Sequence, residues 1–403
     1  MSSSLSSLTS GAVSSPFTQL RKLLDGFAPG HAKPIDLTLG EPRETMPDFI
    51  QAKLDEATAL YGKYPPIRGA GEVRTAISEW LSKRYGLAGS VDPEREVLML
   101  SGSREGLFFA CLPAVGRKDV KGRPAILMCN PYYSAYIAGA IAVGAEPVYL
   151  NATKATGFLP NLDEIARDEA LLARTVALFV NSPSNPQGTV ADRSYILKAL
   201  GLARAYNFML FLDECYSEIY TEVAPIGGLE VAEPTPERFR NLVVFNSLSK
   251  RSNLPGLRSG FCAGDAQFIE AYGEVRNMCA PTVPLPVQHA SAAIWRDEAH
   301  VERSRDAYRD KFLIADNVLG ESYGYKRPAG GFCLWLDMSH FGGGAPAAVT
   351  LWQRAGVKVI PGSFLAQTGR DGTNPGADYV RVAMVQDSAT IREALERTIS
   401  VLR

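Results

Sequence analysis

The segment around Lys250 contains the residue types needed for carbonyl chemistry. Lys250 follows the apolar run Leu242 to Phe245, so it lies just beyond a predicted strand, where the fold can withdraw it from water. Burial favours the neutral amine, which can attack a carbonyl group to form an imine. Ser247 and Ser249 beside it, and Arg258 eight residues later, suit a phosphate dianion. An ordinary surface lysine is the alternative that these residues alone leave open.

Two further polar segments follow apolar runs of strand length. After Val97 to Leu100 comes Ser101-Gly102-Ser103-Arg104-Glu105-Gly106, a short turn that leads into a helical pattern. Free N–H groups at a helix start favour an anion, so the turn could cradle a phosphate, although a plain helix cap explains the same residues. After Val176 to Val180 comes Asn181 to Gly188, where two prolines and a glycine stiffen a loop around the Asn185 amide. Turn chemistry alone is the alternative for this loop.

An acid and a phenol follow a fourth apolar run, Met209 to Leu212. Asp213 stands at the predicted strand end and Tyr216 comes three residues later. A lone aspartate in this position commonly caps a helix. In an open parallel sheet, however, ligands bind at the carboxyl ends of the strands. The polar segments after the four runs are therefore predicted to meet at one site.

The elements that must position these residues alternate between strand and helix. The four runs and a fifth, Ala125 to Cys129, are uniformly apolar, which is typical of strands buried on both faces. Helical spacing in Glu105 to Leu112 and Arg193 to Tyr206 predicts crossover connections and a parallel α/β sheet. From about residue 290 a charged helical stretch, Trp295 to Leu319, precedes short segments at Phe332 to Asp337 and Tyr379 to Met384. A chain of 403 residues exceeds one typical core, so we expect a second, smaller α+β domain.

Composition excludes several function classes. With 42 basic and 43 acidic residues, the chain has no positive excess to attract nucleic acid or an anionic membrane surface. The six cysteines and four histidines are scattered without metal-ligand spacing, so no metal is expected. The Ser-rich start lacks the pattern of a signal peptide and is interpreted as a frayed arm before Phe17. A cytoplasmic protein with small-molecule partners is the resulting expectation.

Taken together, the four segments resemble the fold-type I pyridoxal 5′-phosphate enzymes, specifically the class I/II aminotransferases. The resemblance extends from about Phe17 to Leu402 and is most specific in Ser247 to Gly260 and Asn181 to Gly188. It implies an α/β fold in which a large domain has a mostly parallel sheet flanked by helices. The implied divisions are an arm and part of the small domain over 1–44, the large cofactor-binding domain over 45–291, and the C-terminal small domain over 292–403.

The resemblance also implies roles for individual residues. Lys250 would hold the cofactor as a Schiff base and then act as the catalytic base, while Asp213 would pair with the protonated pyridine nitrogen. Asn185 and Tyr216 would hydrogen-bond the 3-oxygen of the ring. The phosphate would be bound by backbone groups of Ser103 and Arg104 together with Ser247, Ser249 and Arg258.

Four more positions follow from the same resemblance. Tyr133 in Asn130-Pro131-Tyr132-Tyr133 would stack on the pyridine face, with core packing as the alternative. Tyr64 would cross a homodimer interface to the neighbouring phosphate. Arg381 would grip the substrate carboxylate, assisted by Asn185 and the backbone near Gly40. By position alone, Arg381 could instead be an edge-strand charge facing water.

The substrate is less constrained. Leu39 to Pro42, Arg104 to Phe108 and Asn130 to Tyr133 look closest to bacterial N-succinyldiaminopimelate aminotransferases of lysine biosynthesis. That resemblance implies an acylated dicarboxylic substrate, with glutamate as donor and a 2-oxo acid as acceptor. Between Asn277 and Ile294 the chain has no Arg or Lys, where enteric-type aspartate aminotransferases carry a substrate-binding arginine. An aspartate or aromatic aminotransferase and a carbon–sulfur β-lyase stay open as alternatives, whereas a DNA-binding regulator would need an additional basic domain.

Overall fold

The computed structural model describes residues 14–402, which form three β-sheets and the helices around them. In chain order, the strands are β1 (Ile35–Asp36), β2 (Val97–Leu100), β3 (Ala125–Asn130), β4 (Glu146–Asn151), β5 (Thr175–Asn181), β6 (Met209–Asp213), β7 (Leu242–Ser247), β8 (Gly260–Gly264), β9 (Cys333–Asp337), β10 (Val357–Lys358), β11 (Ile360–Pro361) and β12 (Tyr379–Ala383).

The α-helices lie between these strands and at both ends of the described chain. They are α1 (Pro16–Leu24), α2 (Ile50–Glu56), α3 (Gly71–Tyr85), α4 (Ser103–Phe109), α5 (Cys111–Gly116), α6 (Ser134–Ala142), α7 (Leu162–Arg167), α8 (Glu169–Arg174), α9 (Arg193–Ala205), α10 (Gly228–Ala232), α11 (Leu248–Arg251), α12 (Ala266–Cys279), α13 (Leu285–Arg296), α14 (Ala299–Leu319), α15 (Gly344–Ala355) and α16 (Ser388–Val401).

The largest sheet has seven strands in the order β2-β8-β7-β6-β5-β3-β4. Its strands pair in parallel from β4 to β7, and β8 runs antiparallel to both of its neighbours. Every residue of β2, β3, β5, β6 and β7 is buried, because helices cover both faces of the sheet. The five strands predicted from apolar runs are therefore confirmed, as is a mostly parallel α/β sheet.

Two strands of this sheet were missed by the sequence analysis, for identifiable reasons. β8 begins and ends in glycine, a residue depleted in strands. Gly264 has a φ of 146°, and a side chain there would clash with the Leu242 carbonyl, so the position needs glycine. β4 lies at the sheet edge and is only half-buried, so it has no continuous apolar run.

The C-terminal part has its own core around a three-stranded antiparallel sheet in the order β11-β12-β9. β1 pairs in parallel with β10, so the segment before residue 44 joins the C-terminal part. The predicted helical stretch Trp295 to Leu319 is in fact two helices, since α13 ends at Arg296 and α14 begins at Ala299. The domain boundaries at 44/45 and 291/292 stay predictions. The predicted arm before Phe17 lies largely outside the described residues.

None of the helices in residues 14–402 is both long and apolar enough to cross a membrane.

Candidate active site

The strands β5, β6 and β7 bring three of the predicted segments to one edge of the large sheet. These strands are parallel neighbours, and their register places Asn181 opposite Asp213 and Asp213 opposite Phe245. Their carboxyl ends therefore meet, as expected for a binding site in an open α/β sheet. The Asn181 side chain donates to the Asp213 carbonyl at 2.8 Å, so the loops after β5 and β6 are tied together.

Lys250 lies in α11, the single helical turn that follows β7. Its Nζ donates a hydrogen bond to the Gly40 carbonyl and lies 5.2 Å from the centre of the Phe332 ring. Burial is the main cause that lowers the pKa of Lys250 from 10.5 to about 8, and nearby Arg381 lowers it further. The amine is therefore partly neutral near physiological pH, as a nucleophile or a base requires.

Asp213 is a buried carboxylate, with 6% of its surface exposed. Its Oδ2 accepts a hydrogen bond from the Tyr136 hydroxyl at 2.6 Å, and its Oδ1 accepts one from the Cys215 N–H at 3.2 Å. Burial raises the pKa of Asp213, while hydrogen bonds from Tyr136 and from the side chain and backbone of Cys215 lower it. Within residues 14–402 no Lys, Arg or His forms an ion pair with Asp213, so the site has room for a cation supplied by a ligand.

Tyr136 was not predicted as a site residue from the sequence. A signal for it existed, because Tyr136 follows Tyr133 by three residues and a spacing of three places two side chains on the same helical face. The two rings meet edge to face at 5.7 Å. The residue was nevertheless passed over, because its contact with Asp213 joins positions 77 residues apart.

Asn185 and Tyr216 lie together, as the shared role expected for them requires. The Asn185 Nδ2 donates to the Tyr216 hydroxyl at 3.1 Å, and the Asn185 N–H donates to Asn181 Oδ1 at 2.7 Å. Gly188 closes this loop with a φ of 72°, which a side chain would strain. The loop therefore holds the Asn185 amide in a defined orientation.

The predicted phosphate-binding residues converge on a second cluster. The Ser247 and Ser249 hydroxyls are 2.9 Å apart, and the Arg258 guanidinium donates to the Pro255 carbonyl at 2.8 Å and to the Ser101 carbonyl at 3.2 Å. Gly102, with a φ of 83°, lets the turn approach this guanidinium, since a Cβ at that position would clash with it. Ser103 begins α4, and a Cβ built on Gly260 would lie 3.2 Å from the Ser103 nitrogen. The two segments thus form one cradle of hydroxyl, guanidinium and backbone donors.

Arg381 is buried in β12, the central strand of the three-stranded sheet, so the edge-strand alternative is wrong. Its guanidinium donates to the Thr38 carbonyl at 2.6 Å and to Asn185 Oδ1 at 3.4 Å. Its Nε is buried without a hydrogen-bond partner among the described residues, and no acid there pairs with it. A buried guanidinium with donors to spare favours a carboxylate ligand.

Tyr133 lies at the start of α6, and its hydroxyl accepts a hydrogen bond from the Arg104 Nε at 2.6 Å. The Arg104 side chain is thus directed to Tyr133, which leaves its backbone N–H for the phosphate role. Tyr64 is fully exposed, and this single chain does not bring it to the site. It borders a hollow of about 250 Å³ together with Leu60, Tyr61, Lys63, Pro65, Thr282, Pro284 and Leu285.

These residues fit pyridoxal phosphate on three independent counts. A partly neutral lysine matches an aldehyde, a buried unpaired carboxylate matches a protonated ring nitrogen, and the donor cradle matches a phosphate. The unpaired Arg381 then remains for a carboxylate of the substrate. No group of three or more His, Cys, Asp or Glu side chains within the described range could hold a metal ion.

Comparison with known proteins agrees with this chemistry. The family model described as aminotransferase class I and II matches residues 32–397. The chain is 30% identical to an LL-diaminopimelate aminotransferase of Desulforudis audaxviator over 90% of its own length and 89% of the relative's. It is 32% identical to a 4-dedimethylamino-4-oxo-anhydrotetracycline transaminase of Streptomyces rimosus, over 90% and 92% of the two chains.

The structural comparison leads to the same family. A crystal structure of an aminotransferase from Neisseria meningitidis superimposes with a TM-score of 0.91 at 37% identity, covering 96% of this chain and 98% of the other. The predicted family and the fold-type I architecture are confirmed. The chain therefore belongs to the aminotransferase class I and II family, whose members depend on pyridoxal phosphate, and it is an aminotransferase.

Proposed function

We propose that this aminotransferase binds pyridoxal phosphate at Lys250 and exchanges amino groups between glutamate and a diaminopimelate-type 2-oxo acid of lysine biosynthesis. The observation that carries the proposal is a pair of buried, oppositely charged groups without counter-ions among the described residues. Asp213 is set to receive a cationic ring, and Arg381 is set to receive a carboxylate. Lys250, which is electrostatically coupled to Arg381, provides the amine.

Each residue then has a task that follows from its surroundings. When bound, pyridoxal phosphate supplies an aldehyde that accepts the amino group and a ring that withdraws electrons from the substrate Cα. Lys250 would hold the cofactor through its Nζ, and the same amine, partly neutral near physiological pH, would move the proton at the substrate Cα. Asp213 keeps the ring nitrogen protonated, while Asn185 and Tyr216 donate to the ring 3-oxygen.

The phosphate and the ring face are assigned to the remaining residues of the site. The phosphate would be held by Ser247, Ser249, Arg258 and the backbone at Ser103 and Arg104. Tyr133 covers one face of the ring. These contacts would hold the cofactor independently of its attachment to Lys250.

Arg381 recognises the α-carboxylate shared by every amino donor. Its Nε lacks a partner, and its outer nitrogens are fixed by Thr38 and Asn185, so a carboxylate arriving there completes the hydrogen bonding of a buried cation. The Gly40 carbonyl accepts a hydrogen bond from Lys250, so the backbone before Glu41 lies next to the catalytic amine.

Two observations support a substrate with a second acidic group. The D. audaxviator relative is named for diaminopimelate, which carries a carboxylate at each end. Arg104, beside the ring-covering Tyr133, pairs with no acid within residues 14–402 and is available to a distal carboxylate. The S. rimosus relative, however, is named for a tetracycline intermediate, so family membership alone does not select the substrate. The same scaffold can hold an N-succinylated or a free diaminopimelate, and the titration below separates the two.

The active unit is proposed to be a homodimer in which Tyr64 reaches the phosphate of the neighbouring site. Tyr64 and Tyr61 are exposed aromatic side chains at the rim of the hollow that includes Pro284 and Leu285. Exposed apolar groups that cluster in this way are typical of protein interfaces. Mixing inactive Lys250→Ala with Tyr64→Phe subunits tests this, because hybrids should regain one intact site, whereas unchanged additive activity would contradict the crossing.

The decisive experiment is a spectral titration of the protein reconstituted with pyridoxal phosphate. Glutamate should convert the absorbance of the lysine-bound cofactor into that of the amine form, and Lys250→Ala should never show the lysine-bound band. N-succinyl-LL-diaminopimelate, LL-diaminopimelate, aspartate and phenylalanine are then compared as donors. Preference for either diaminopimelate compound supports the proposed substrate class and identifies its form. Preference for aspartate or phenylalanine would keep the aminotransferase and reject that class.

The lyase alternative has a separate readout in the same preparation. A carbon–sulfur β-lyase releases pyruvate and ammonia from cystathionine in the absence of an acceptor 2-oxo acid. We expect no such release at rates comparable to amino transfer. Steady release of both products without acceptor would replace the proposed reaction by elimination.

A further inference from the structure

Tyr136 is a buried phenol aimed at the carboxylate of the candidate active site. It lies in α6 with 1% of its surface exposed, and its hydroxyl is 2.6 Å from Asp213 Oδ2. The ring stacks on Phe179 of β5, with centroids 4.5 Å apart and planes 7° from parallel. This stack fixes the plane of the phenol, so the direction of its O–H bond toward Asp213 is set by packing.

The direction of the hydrogen bond follows from the state of both groups. The pKa of Tyr136 is raised well above 10.0, first by burial and then by the charge of Asp213, so the hydroxyl keeps its proton and donates it. The Tyr136 hydrogen bond acts on Asp213 in the opposite sense to burial and lowers the pKa of the carboxyl. The phenol thereby favours the ionised form of the carboxylate, against the effect of burial.

The surroundings of Asp213 contain few other groups that could do this. On the loop after β6, Cys215 donates its N–H to Oδ1, and its side chain also lowers the pKa of Asp213 through a hydrogen bond. Asn181 on β5 donates to the Asp213 backbone carbonyl, and Phe245 opposite on β7 is apolar. The titratable groups that interact electrostatically with Asp213 are Tyr136, Glu214, Cys215, Tyr133 and Tyr216, while Lys250 and Arg104 act on Cys215 and Tyr133 respectively. Tyr136 alone among these side chains donates to Oδ2.

We propose that Tyr136 is a positioning residue that holds Asp213 ionised and turned so that Oδ1 meets the pyridine nitrogen of the cofactor. The inference rests on the proposed binding of pyridoxal phosphate and names a residue that the roles above leave unassigned. Each carboxylate oxygen can accept more than one hydrogen bond. Oδ2 accepts the hydrogen bond from Tyr136. Oδ1 accepts one from the Cys215 N–H and can accept a second from the N–H of the ring.

The test measures binding of pyridoxamine phosphate, which forms no covalent bond with Lys250, to the cofactor-free full-length chain across the pH range from about 5 to 9. The ligand arrives with its ring nitrogen protonated at and below neutral pH. Where Asp213 is neutral in the free protein, binding must expel a proton, so the Kd rises as pH falls. Tyr136→Phe removes the donor and shifts this rise to higher pH.

The expected result is a variant-to-wild-type Kd ratio that grows to about tenfold or more at the acid end and shrinks at the alkaline end, since a hydrogen bond to a charged group is worth about that factor. Tyr272→Phe is the matched control, because it removes another buried hydroxyl, which donates to the Gly106 carbonyl at 2.6 Å. Its ratio should be the same at every pH. In an Asp213→Asn background the pH-dependent effect of Tyr136→Phe should vanish.

A Tyr136→Phe ratio that stays uniform with pH would mean that the phenol only packs, and would overturn the inference. If wild-type chain fails to bind pyridoxamine phosphate at all, the proposed function fails first, and the two failures are thus distinguishable. Should Tyr136→Phe not fold, Phe179→Leu takes its place, because it keeps the hydroxyl and removes the stack that aims it. The same pH-dependent ratio is expected there, and a uniform one refutes the positioning role.

Discussion

Replacing Lys250 by methionine should stabilise the cofactor-free protein. The substitution keeps the length of the side chain and removes an amine that folding places in poorly solvated surroundings. Burial lowers the pKa of Lys250 from 10.5 to about 8, so the folded state resists its charged form. A residue retained for chemistry at a cost in stability is common at functional sites.

The size of the effect follows from linkage between protonation and folding. Below about pH 8 the lysine is charged in both states and the full penalty applies, up to about 3 kcal/mol for this pKa difference. Between about pH 8 and the unfolded pKa of 10.5 the folded state is neutral while the unfolded state is still charged, so the penalty shrinks as pH rises. The stability gap between variant and wild type should therefore narrow by about 2 kcal/mol from about pH 7 to about pH 9.5.

Urea unfolding of both proteins without cofactor, at these two pH values, measures the gap. The difference between the two pH values is the informative quantity, because the added packing of methionine and the unpaired Gly40 carbonyl act equally at both. Lys154→Met, at an exposed lysine, reports what the same replacement does without burial. A gap that does not change with pH for Lys250→Met would show that Lys250 is fully solvated and would refute the reasoning.

Three further substitutions test the binding roles. Arg381→Lys should lower kcat/KM about 10- to 100-fold for every amino donor, because lysine cannot make the planar, multi-donor contact with the shared carboxylate. The absorbance of the bound cofactor should stay unchanged. A loss confined to some donors would contradict that role. Arg104→Gln should slow amino transfer from dicarboxylic donors about 10-fold and leave transfer from phenylalanine unaffected. Equal slowing with both kinds of donor would show that Arg104 does not bind the distal carboxylate. Gly102→Ala should weaken pyridoxal phosphate binding about 10-fold or more, because a methyl group would displace the Arg258 guanidinium. Unchanged equilibrium binding would show that this cluster does not bind the phosphate.

Much of the large sheet could be predicted because buried parallel strands have a local signature. β2, β3, β5, β6 and β7 are continuous apolar runs, and their helical connections have helical spacing. β8 lacks that signature because its role depends on close approach to β7, a contact that only the folded chain defines. The break between α13 and α14 was missed for a similar reason, since the polar residues of both helices continue one pattern through Asp297 and Glu298.

The kinds of residue at the site, and the order in which they follow the strands, can be read from the amino-acid sequence alone. Lys250, Asp213 and Asn185 were predicted as site residues because each lies in a polar segment after an apolar run, and side chains after parallel strands meet at one edge. Arg258 was predicted with them from its place eight residues beyond Lys250. The spacing of three between Tyr133 and Tyr136 was also present in the sequence. That spacing does not predict the hydrogen-bond partner of Tyr136.

The solvation and the pairing of those residues, by contrast, depend on the folded chain. The burial of Arg381 in a central strand, its unpartnered Nε and the hydrogen bond from Tyr136 to Asp213 all join segments far apart in the chain. The lowered pKa of Lys250 likewise depends on burial by the folded chain and on the charge of Arg381, which comes from the C-terminal part. Residue type sets which charges are available, and packing sets what those charges cost, because desolvation depends on every neighbour at once.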